Sequence, residues 1–257
     1  MRNTPAQPAQ IQETFTPQHT FTDFGFPPQL AANITLRNYP ALTPIQDQVI
    51  PLLLEGKDVI GLANTGTGKT AAFLLPFIKK VNQDRSQKML IMAPTRELAV
   101  QIEDELKIFA KQMRIFSALC IGGVSMQGQI RSLYSNPNFV IGTPGRLKDL
   151  ATRRKIIFST FNTVVLDEVD RMLDMGFIHN MTEILSALPA NRQMAFFSAT
   201  MTPSVQKVMG AFLKNPVTIS IKTHAVLKNI AQDIIRMNGK PKIDVLHDLL
   251  IQVGLDK

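Results

Sequence analysis

The chain has 257 residues, of which 45% are hydrophobic and 19% are charged, and this composition excludes a disordered chain, a collagen and a disulfide-held mini-protein. Lysines and arginines number 28 against 20 acidic residues, and the resulting charge of +8 favours partners rich in phosphate. Cys120 is the single cysteine and cannot form an internal disulfide, which favours a reducing compartment such as the cytoplasm. The four histidines are too far apart to suggest a metal site.

The first residues differ in composition from the body of the chain. Residues 1–20 are rich in Gln, Thr and Pro and lack the apolar stretch of a signal peptide, so we predict a flexible tail there. The apolar runs farther along are shorter than the roughly 20 residues that cross a bilayer. We therefore expect no membrane partner.

Seven short apolar runs alternate with stretches of helical spacing. The runs occupy residues 58–63, 88–94, 117–123, 139–144, 163–168, 194–200 and 217–221. Because they are continuously apolar, they predict strands that are buried on both faces. A helix is predicted over residues 95–111, where apolar residues recur every three or four positions. The alternation predicts an α/β fold with a mostly parallel central sheet, helices on both faces and ligands beyond the carboxyl ends of the strands.

The composition changes again after Ile221. Residues 222–241 are rich in Lys, Asn and Gln and end in the breaker sequence Asn-Gly-Lys-Pro. A new amphipathic pattern then begins, and the chain stops at Lys257. We therefore expect a folded body over residues 21–221 and, over residues 222–257, a linker and the start of a truncated second domain.

A glycine-rich turn follows the first apolar run. Residues 63–70 read Ala-Asn-Thr-Gly-Thr-Gly-Lys-Thr and precede a helical pattern, which is the strand–loop–helix context of a P-loop. Glycines allow backbone N–H groups to surround an anion, and the N-terminus of the helix adds a positive dipole. Lys69 can reach the outer phosphates, and the Thr70 hydroxyl can bind Mg²⁺. Ala63 replaces the usual first glycine, so the pattern alone leaves open a plain turn into a helix.

Two acidic residues end the fifth apolar run. Asp167 can bind Mg²⁺, through water because this ion gives up its waters reluctantly. Glu168 can orient or deprotonate an attacking water. The alternative is a pair of acids that stabilise the start of the next helix, but the P-loop in the same predicted sheet favours the metal site.

Several motifs occur in a fixed order along the body of the chain. They are Phe21, Thr-Pro-Ile-Gln at 43–46, AxxGxGKT at 63–70, PTRELA at 94–99, Gly-Gly at 122–123, TPGR at 143–146, DEVD at 167–170 and SAT at 198–200. In this order the chain resembles the DEAD-box ATP-dependent RNA helicases, from Phe21 to Lys257. The resemblance implies that residues 21–221 form a RecA-like lobe that binds ATP and Mg²⁺.

The resemblance assigns roles to the residues of the nucleotide site. It implies that Phe21 stacks on the base and that Gln46 pairs with adenine and so disfavours GTP. Residues 43–46 also match a capping box, and both roles can hold together. The implied catalytic residues are Glu168, Asp167 and Lys69. The implied cofactor-binding residues are Phe21, Thr43, Gln46, Asn64, Thr65, Gly66, Thr67, Gly68, Lys69 and Thr70, with Thr70 and Asp167 holding Mg²⁺ partly through water.

The resemblance also implies that Asp170, Ser198 and Thr200 couple ATP hydrolysis to strand separation through hydrogen bonds. Without the resemblance, this segment would be an ordinary strand end before a helix that Thr202 caps. On the residues alone, the two readings stay open.

Two departures from the family's pattern stand out. Val169 replaces the alanine of the name-giving tetrad, and residues 38–42 read Asn-Tyr-Pro-Ala-Leu where the family usually has Gly first and Pro last. Neither change removes an acid or the glutamine. We therefore expect the chemistry to be kept, with altered packing at Val169.

Three strand ends that precede probable helices carry groups suited to phosphates. Thr95 and Thr143 are good N-cap residues, and helix N-termini with free N–H groups bind phosphates. Arg96 and Arg146 can add charge-assisted contacts. Such an interface should tolerate any sequence and weaken with salt. The implied RNA-binding residues are Pro94, Thr95, Arg96, Gly123, Thr143, Gly145 and Arg146.

Two further groups of residues receive weaker predictions. Lys148, Arg153, Arg154 and Lys155 would add positive charge near this RNA face, although such runs are more often solvated surface. Three methionines are expected to fill the core. They are Met92, Met172 and Met175.

The implied function is sequence-independent unwinding or remodelling of single-stranded or duplex RNA, driven by ATP. In the family, ATP lies between two RecA-like lobes and the second supplies arginines, so these 257 residues alone should bind ATP weakly and hydrolyse it poorly. Three alternatives stay open: an RNA clamp or assembly factor that does not unwind, a DNA helicase, and an unrelated P-loop enzyme such as a small-molecule kinase. The last predicts no role for Phe21 and Gln46.

Overall fold

The computed structural model describes residues 15–221, 235, 237, 239 and 241–251, and the chain divides into two compact units, Met1–Lys222 and Thr223–Lys257. In the first unit, strands form at the seven predicted apolar runs. They are β1 (Val59–Leu62), β2 (Met89–Met92), β3 (Ser117–Cys120), β4 (Phe139–Gly142), β5 (Thr163–Leu166), β6 (Gln193–Ser198) and β7 (Val217–Ser220).

These strands form one sheet with the order β3-β4-β2-β5-β6-β1-β7, and each neighbouring pair is parallel. The prediction of a mostly parallel sheet is therefore confirmed. Because the strands share one direction, the loops that follow them lie along a single edge, which we call the carboxyl edge. The loops that precede them lie along the opposite edge, the amino edge.

Helices cover both faces of the sheet, as predicted. Ile91 of β2 joins a core cluster with residues of the second, third and fourth helices, whereas its neighbour Leu90 joins a cluster with the sixth, eighth and ninth, because successive strand residues point to opposite faces. The helices are α1 (Pro28–Leu36), α2 (Pro44–Leu54), α3 (Lys69–Gln83), α4 (Arg96–Phe109), α5 (Met126–Tyr134), α6 (Pro144–Thr152), α7 (Val169–Asp174), α8 (Ile178–Ser186), α9 (Pro203–Phe212) and α10 (Lys242–Leu250), with 3₁₀ turns at Phe21–Phe24 and Phe158–Thr160.

The two outer strands differ from the prediction of burial on both faces. Residues of β3 alternate between half-buried and buried, and residues of β7 alternate between half-buried and exposed. An outer strand has a neighbouring strand on one side only, so solvent reaches part of its surface. The inner strands β2, β4, β5 and β6 are buried throughout, as predicted.

Packed residues begin before the predicted start of the body at Phe21. The backbone N–H groups of Gln18 and His19 each donate to the Asp47 carboxylate at 3.0 Å, and the His19 ring contacts it at 2.8 Å. Burial would raise the pKa of Asp47, but these hydrogen bonds outweigh it and lower the pKa. The predicted tail over residues 1–20 is therefore wrong for residues 18–20, and residues 1–14 lie outside the described residues.

In the second unit, α10 forms where the amphipathic pattern predicts a helix, directly after Pro241. The predicted linker over residues 222–241 lies outside the described residues, except at 235, 237, 239 and 241. Among the residues that the structure describes, no helix is both long and apolar enough to cross a membrane.

Candidate functional site

The glycine-rich turn between β1 and α3 encloses the ammonium group of Lys69. Gly68 occupies the N-cap of α3 with a φ of 96°, a conformation that side chains rarely adopt. Lys69 is 6% exposed, and its Nζ donates to the carbonyl of Ala63 at 2.8 Å. Thr67 Oγ1 donates to the carbonyl of Asn64 at 2.8 Å. The turn therefore wraps around its own lysine, beside the unpaired N–H groups that begin α3.

Asp167 and Glu168 lie beside this turn. The Thr65 hydroxyl donates to Glu168 Oε1 at 3.2 Å, which joins the loop after β1 to the end of β5. Burial raises the pKa of Asp167 to about 6, although the nearby Lys69 ammonium acts to lower it. Glu168 has a φ of 52°, an uncommon conformation for a residue other than glycine that clusters at functional sites. The structure thus brings the turn and the acidic pair together.

A cavity of about 370 Å³, which we call the nucleotide cavity, opens between the turn and the acidic pair. Its lining includes Gly66, Gly68, Lys69, Thr70, Asp167 and Glu168. Glycines without side chains, a lysine, a hydroxyl and two carboxylates are the groups that a magnesium–triphosphate needs, so the residues present fit this cofactor. This fit does not involve a cluster of protein ligands, because the described part of the chain has no group of three or more His, Cys, Asp or Glu residues that could hold a metal ion.

Gln46 joins the start of α2 to the glycine-rich turn. It is fully buried, its Oε1 accepts from the Thr43 N–H at 3.0 Å, and its Nε2 donates to the Gly68 carbonyl at 3.2 Å. The first bond is one half of the predicted capping box. Thr43 Oγ1, by contrast, is buried without a hydrogen-bond partner among the described residues. Gln46 therefore fixes the turn as well as capping the helix.

Three further polar residues, which no sequence motif marked, line the nucleotide cavity: Tyr39, Gln101 and Glu105. The Tyr39 hydroxyl donates to Glu105 at 3.0 Å, and Arg37 donates to the same carboxylate at 3.0 Å. The Tyr39 ring meets the Phe21 ring edge-on, with centroids 6.4 Å apart. Phe21 is therefore connected to this cavity through Tyr39 and does not itself line it.

The departures from the family's pattern have structural explanations. Asn38 has a φ of 56°, and asparagine tolerates this left-handed conformation better than other residues except glycine. Leu42 is 3% exposed and joins the core. Val169 is fully buried in the cluster on the other face of the sheet, where its branched side chain fills space beside α9.

Tyr39 gives the site a measurable titration. Burial and the Glu105 carboxylate raise the pKa of Tyr39 to about 12. A raised pKa means that the neutral phenol stabilises the fold below its ordinary pKa of about 10 and that this contribution is lost as the pH rises towards 12. The chain has two tyrosines and no tryptophan, so ultraviolet absorbance in rapid pH jumps can follow each phenol. We expect the transition near pH 12 to vanish in Tyr39→Phe; a transition near pH 12 that persisted in this variant would contradict the assignment.

Hydrogen bonds join Asp170 to the end of β6. The Thr200 N–H and hydroxyl both donate to Asp170 Oδ2 at 2.9 Å, and the Asp170 N–H donates to Ser198 Oγ at 3.3 Å. Burial would raise the pKa of Asp170, but these bonds outweigh it and lower the pKa. Thr202 also caps α9 by accepting from Val205 at 3.3 Å. The hydrogen bonds to Asp170 and the cap therefore coexist.

A second cavity, of about 460 Å³, lies at the carboxyl ends of β2, β3 and β4, and we call it the arginine cavity. Its lining includes Pro94, Thr95, Arg96, Gly122, Thr143, Gly145 and Arg146. Gly123 lies against Arg96, since a Cβ atom at Gly123 would collide with Arg96 Nη1. Arg146 Nη1 is buried and has no hydrogen-bond partner within the described ranges. The predicted RNA-binding residues therefore lie together beside Arg146, whose Nε is 3.9 Å from Asp149 Oδ2 while its Nη1 has no such partner among the described residues.

The helix starts at this cavity differ from each other. Thr95 Oγ1 accepts from the Leu98 N–H at 3.2 Å, as predicted for an N-cap. Thr143 occupies the N-cap of α6, but its side chain makes no capping bond, so that part of the prediction is wrong.

Met175 and Phe177 also line the arginine cavity, and the sequence analysis assigned neither to it. Met175 is 48% exposed, so its predicted place in the core is wrong, whereas Met92 and Met172 are fully buried. Met175 follows the last turn of α7, and the next residue, Gly176, turns the chain with a φ of 79°. Gly176 was therefore the sequence signal that α7 ends before it and that Met175 lies outside the buried part of the helix.

The four basic residues of the run from Lys148 to Lys155 lie within α6 and directly after it. Lys148 and Arg153 pair with acidic residues at 2.8 Å and 2.7 Å. Arg154 and Lys155 follow the end of α6, which runs from the carboxyl edge back to the amino edge before β5 begins. These two residues therefore do not add charge near the predicted RNA-binding residues, which leaves the solvated surface that such runs more often form.

Known proteins resemble this chain in sequence. A family model described as DEAD/DEAH box helicase matches residues 43–208. The DEAD-box ATP-dependent RNA helicase CshA of Bacillus licheniformis is 42% identical over 90% of this chain and 48% of its own length. The ATP-dependent RNA helicase CshA of Listeria monocytogenes is 43% identical over 90% of this chain and 45% of its own. The chain thus spans about half the length of the curated relatives it matches.

Solved structures agree with this result. A DEAD box protein from Methanococcus jannaschii has a TM-score of 0.76 and 32% identity over 90% of this chain and 63% of that chain. A hypothetical ATP-dependent RNA helicase from Sulfolobus tokodaii has a TM-score of 0.70 and 34% identity over 75% of this chain and 56% of that chain. Since the family model covers more than half of its residues, this chain belongs to the DEAD/DEAH box helicase family.

Proposed function

We propose that this chain is the ATP-binding lobe of an ATP-dependent RNA helicase, which binds the RNA backbone and uses ATP hydrolysis to unwind or remodel RNA locally. The observation that carries the proposal is the position of α4, which borders both cavities. Thr95 and Arg96, at its start, line the arginine cavity, whereas Gln101 and Glu105 line the nucleotide cavity. A movement of this helix would therefore reach both sites. The name of the CshA relatives supports the same activity.

We assign the binding of ATP and Mg²⁺ to the nucleotide cavity. The Lys69 ammonium, which donates to the Ala63 carbonyl, would contact the outer phosphates with its remaining donors, while Thr70 and Asp167 would hold the magnesium ion, partly through water. When bound, the ion offsets the negative charge that develops on the phosphate oxygens. Glu168, which the Thr65 hydroxyl holds in place, orients the attacking water.

We assign the RNA backbone to the arginine cavity. The unsatisfied donor of Arg146 and the guanidinium of Arg96 suit phosphate oxygens, and such contacts carry no sequence information. Binding should therefore tolerate any sequence and weaken as salt rises. The hydrogen bonds between Asp170 and Thr200 lie at the end of β6. We assign to them the coupling of ATP hydrolysis to the separation of RNA strands.

For the whole protein, we propose a second RecA-like lobe as the partner, because the curated relatives are about twice as long as the part that matches. A charged residue that completes the site in comparable NTPases increases the rate by ~10³–10⁵, so this chain alone should hydrolyse ATP poorly. We also propose a cytoplasmic location, with which the buried free thiol of Cys120 is compatible.

Base preference tests the nucleotide assignment. We expect ATP to displace a fluorescent nucleotide from the wild-type chain at a concentration about tenfold lower than GTP, since an amide that pairs with the correct base discriminates by roughly 1–3 kcal/mol. In Gln46→Ala the ratio of the two dissociation constants should fall to about one. Competition titrations with both nucleotides measure this ratio.

The control for Gln46 lies on the same helix. Gln48 is exposed, so Gln48→Ala should keep both affinities and their ratio. Because Gln46 also fixes the turn through Gly68, its loss should weaken every nucleotide to some extent. A uniform loss with an unchanged ratio would show that Gln46 serves the turn alone and would contradict adenine recognition.

An RNA clamp that does not unwind would present the same two cavities. Release of a labelled strand from a short duplex, measured with the whole protein and ATP, separates the two functions. Strand release supports the helicase, whereas stable ATP-dependent binding without release would favour the clamp.

A further inference from the structure

The amino edge of the sheet carries basic residues that none of the roles above uses. The first residues of β3, β4, β2 and β5 are paired in register, so the loops that precede these strands lie side by side, at about 4.8 Å per strand. Hydrogen bonds connect these loops. Asn138 Nδ2 donates to the carbonyl of Arg85 at 3.0 Å, and Arg85 Nη1 donates to the carbonyl of Arg114 at 3.3 Å. The loops therefore form one continuous surface.

We call this surface the basic ridge, and it consists of residues 84–88, 110–116, 134–138 and 153–157. These segments have a net charge of +6, against +8 for the whole chain. Arg153 pairs with an acid, but in the part of the chain that the structure describes no carboxylate lies within ion-pair distance of the other six cations. Those six are Arg85, Lys88, Lys111, Arg114, Arg154 and Lys155. Most of the net positive charge of the chain therefore lies in the basic ridge, away from both cavities.

Exposed rings accompany these cations. Phe116 is 59% exposed and Tyr134 is 70% exposed. Lys155 Nζ donates to the Tyr134 hydroxyl at 2.8 Å and lies 5.4 Å from the centroid of its ring. Surfaces that bind single-stranded nucleic acid combine cations for the phosphates with rings on which bases stack. The ridge has both features.

The backbone gives a second reason to assign a function to two of the arginines. Arg114 and Arg154 have φ values of 54° and 56°, which destabilise residues that carry a Cβ atom. Arg154 follows the end of α6, where its N–H donates to Ala151 and the Lys155 N–H donates to Leu150, both at 2.8 Å. Glycine is the usual residue at this position of the motif. The fold would therefore be more stable with glycine at residue 154, so the backbone conformation does not account for an arginine there.

We propose that the basic ridge is a second RNA-binding surface, which holds phosphates of a strand that extends beyond the arginine cavity. The identity of the strand as RNA rests on the proposed function. Two separate surfaces on one chain increase the affinity for a strand long enough to reach both, and not for a short one. The ridge should therefore favour long RNA.

The test compares Arg114→Gly/Arg154→Gly with Lys57→Ala/Lys207→Ala. Each double variant removes two positive charges, and the control lysines are exposed residues outside the ridge. Fluorescence anisotropy with labelled polyuridylate over a range of salt concentrations gives the affinity and its salt dependence. We expect the ridge variant to bind about tenfold more weakly, with a salt slope smaller by about 1.4, while the control changes less than about twofold. The midpoint of thermal unfolding of the ridge variant should rise by about 2–4 °C, because glycine relieves the backbone strain.

Equal losses in the two double variants would overturn the proposal, as would an unchanged salt slope in the ridge variant. Loss of binding to phosphatidylserine vesicles with full retention of RNA binding would overturn it in favour of a membrane surface. Arg96→Ala separates this proposal from the proposed function. If Arg96→Ala weakens RNA binding and the ridge variant does not, only the ridge proposal fails; if the wild-type chain does not bind polyuridylate at all, the proposed function fails.

Discussion

Replacing Lys69 with alanine should weaken the binding of Mg²⁺–ADP and Mg²⁺–ATP by about 100-fold, because a hydrogen bond from a charged donor contributes roughly 1.5–3 kcal/mol. Lys69 is the cation that the glycine-rich turn encloses, and within the described ranges its ammonium donates to one backbone carbonyl, that of Ala63. That arrangement leaves the ammonium two further donors for phosphate oxygens. Isothermal titration calorimetry measures the affinity, and thermal unfolding shows whether the variant folds.

The matched control for this experiment lies on the same helix. Lys79 Nζ donates to the backbone carbonyl of Phe24 at 2.7 Å, much as Lys69 Nζ donates to Ala63. Lys79→Ala should therefore cost a similar amount of stability and leave nucleotide affinity within about twofold. If both variants lost affinity equally, Lys69 would act through the stability of the fold rather than by contact with phosphate.

The parts of this fold that were predictable from sequence are those that depend on local pattern. Seven apolar runs gave seven strands, because a strand buried on both faces must be apolar throughout. The glycine-rich turn was equally predictable, since its glycines and Lys69 are close together in the sequence. The outer strand β7 shows where this reasoning fails, because its sequence does not reveal that it lies at the edge of the sheet.

The convergence of the site depends on strand order, which local patterns do not contain. Thr65 and Glu168 are 103 residues apart and are joined by a hydrogen bond, although β6 lies between the strands that carry them. The predicted parallel sheet suggested that the glycine-rich turn and the acidic pair lie at one edge, but not that these two residues are in contact. Gln46 is similar, because its bond to the Gly68 carbonyl reaches across 22 residues to the turn.

Side-chain environment was the least predictable level. The sequence shows that Arg154 and Lys155 are basic, but their place at the amino edge depends on the nine-residue length of α6, which returns the chain across the sheet. No sequence motif indicated that Tyr39 belongs to the nucleotide cavity, because it drew notice only as part of residues 38–42, which differ from the family's pattern. Its hydrogen bond to Glu105 comes from packing between segments 66 residues apart.

Replacing Gly123 with alanine should weaken the binding of a short single-stranded RNA by about 30-fold, which corresponds to the loss of one charge-assisted contact of roughly 2 kcal/mol. The new Cβ atom would collide with Nη1 of Arg96, so the guanidinium would have to move away from its present position beside Gly123. A short strand is the appropriate probe, because it is confined to the arginine cavity. Fluorescence anisotropy at fixed salt measures the change.

Backbone strain must be separated from this displacement. Gly123 has a φ of 78°, so alanine there is strained whatever surrounds it. Gly56 has a φ of 80° with no heavy atom within 4 Å of an added Cβ atom, so Gly56→Ala reproduces the strain without a collision. It should lower the midpoint of thermal unfolding about as much and leave RNA affinity within about twofold.

A double-mutant cycle then identifies the route by which Gly123 acts. If its substitution works by moving Arg96, adding Gly123→Ala to Arg96→Ala should change RNA affinity by less than about twofold, since the contact is already lost. Independent, additive losses would instead mean that the glycine backbone contacts RNA by itself. In that case the absence of a side chain at Gly123 would serve the approach of phosphate rather than the placement of the arginine.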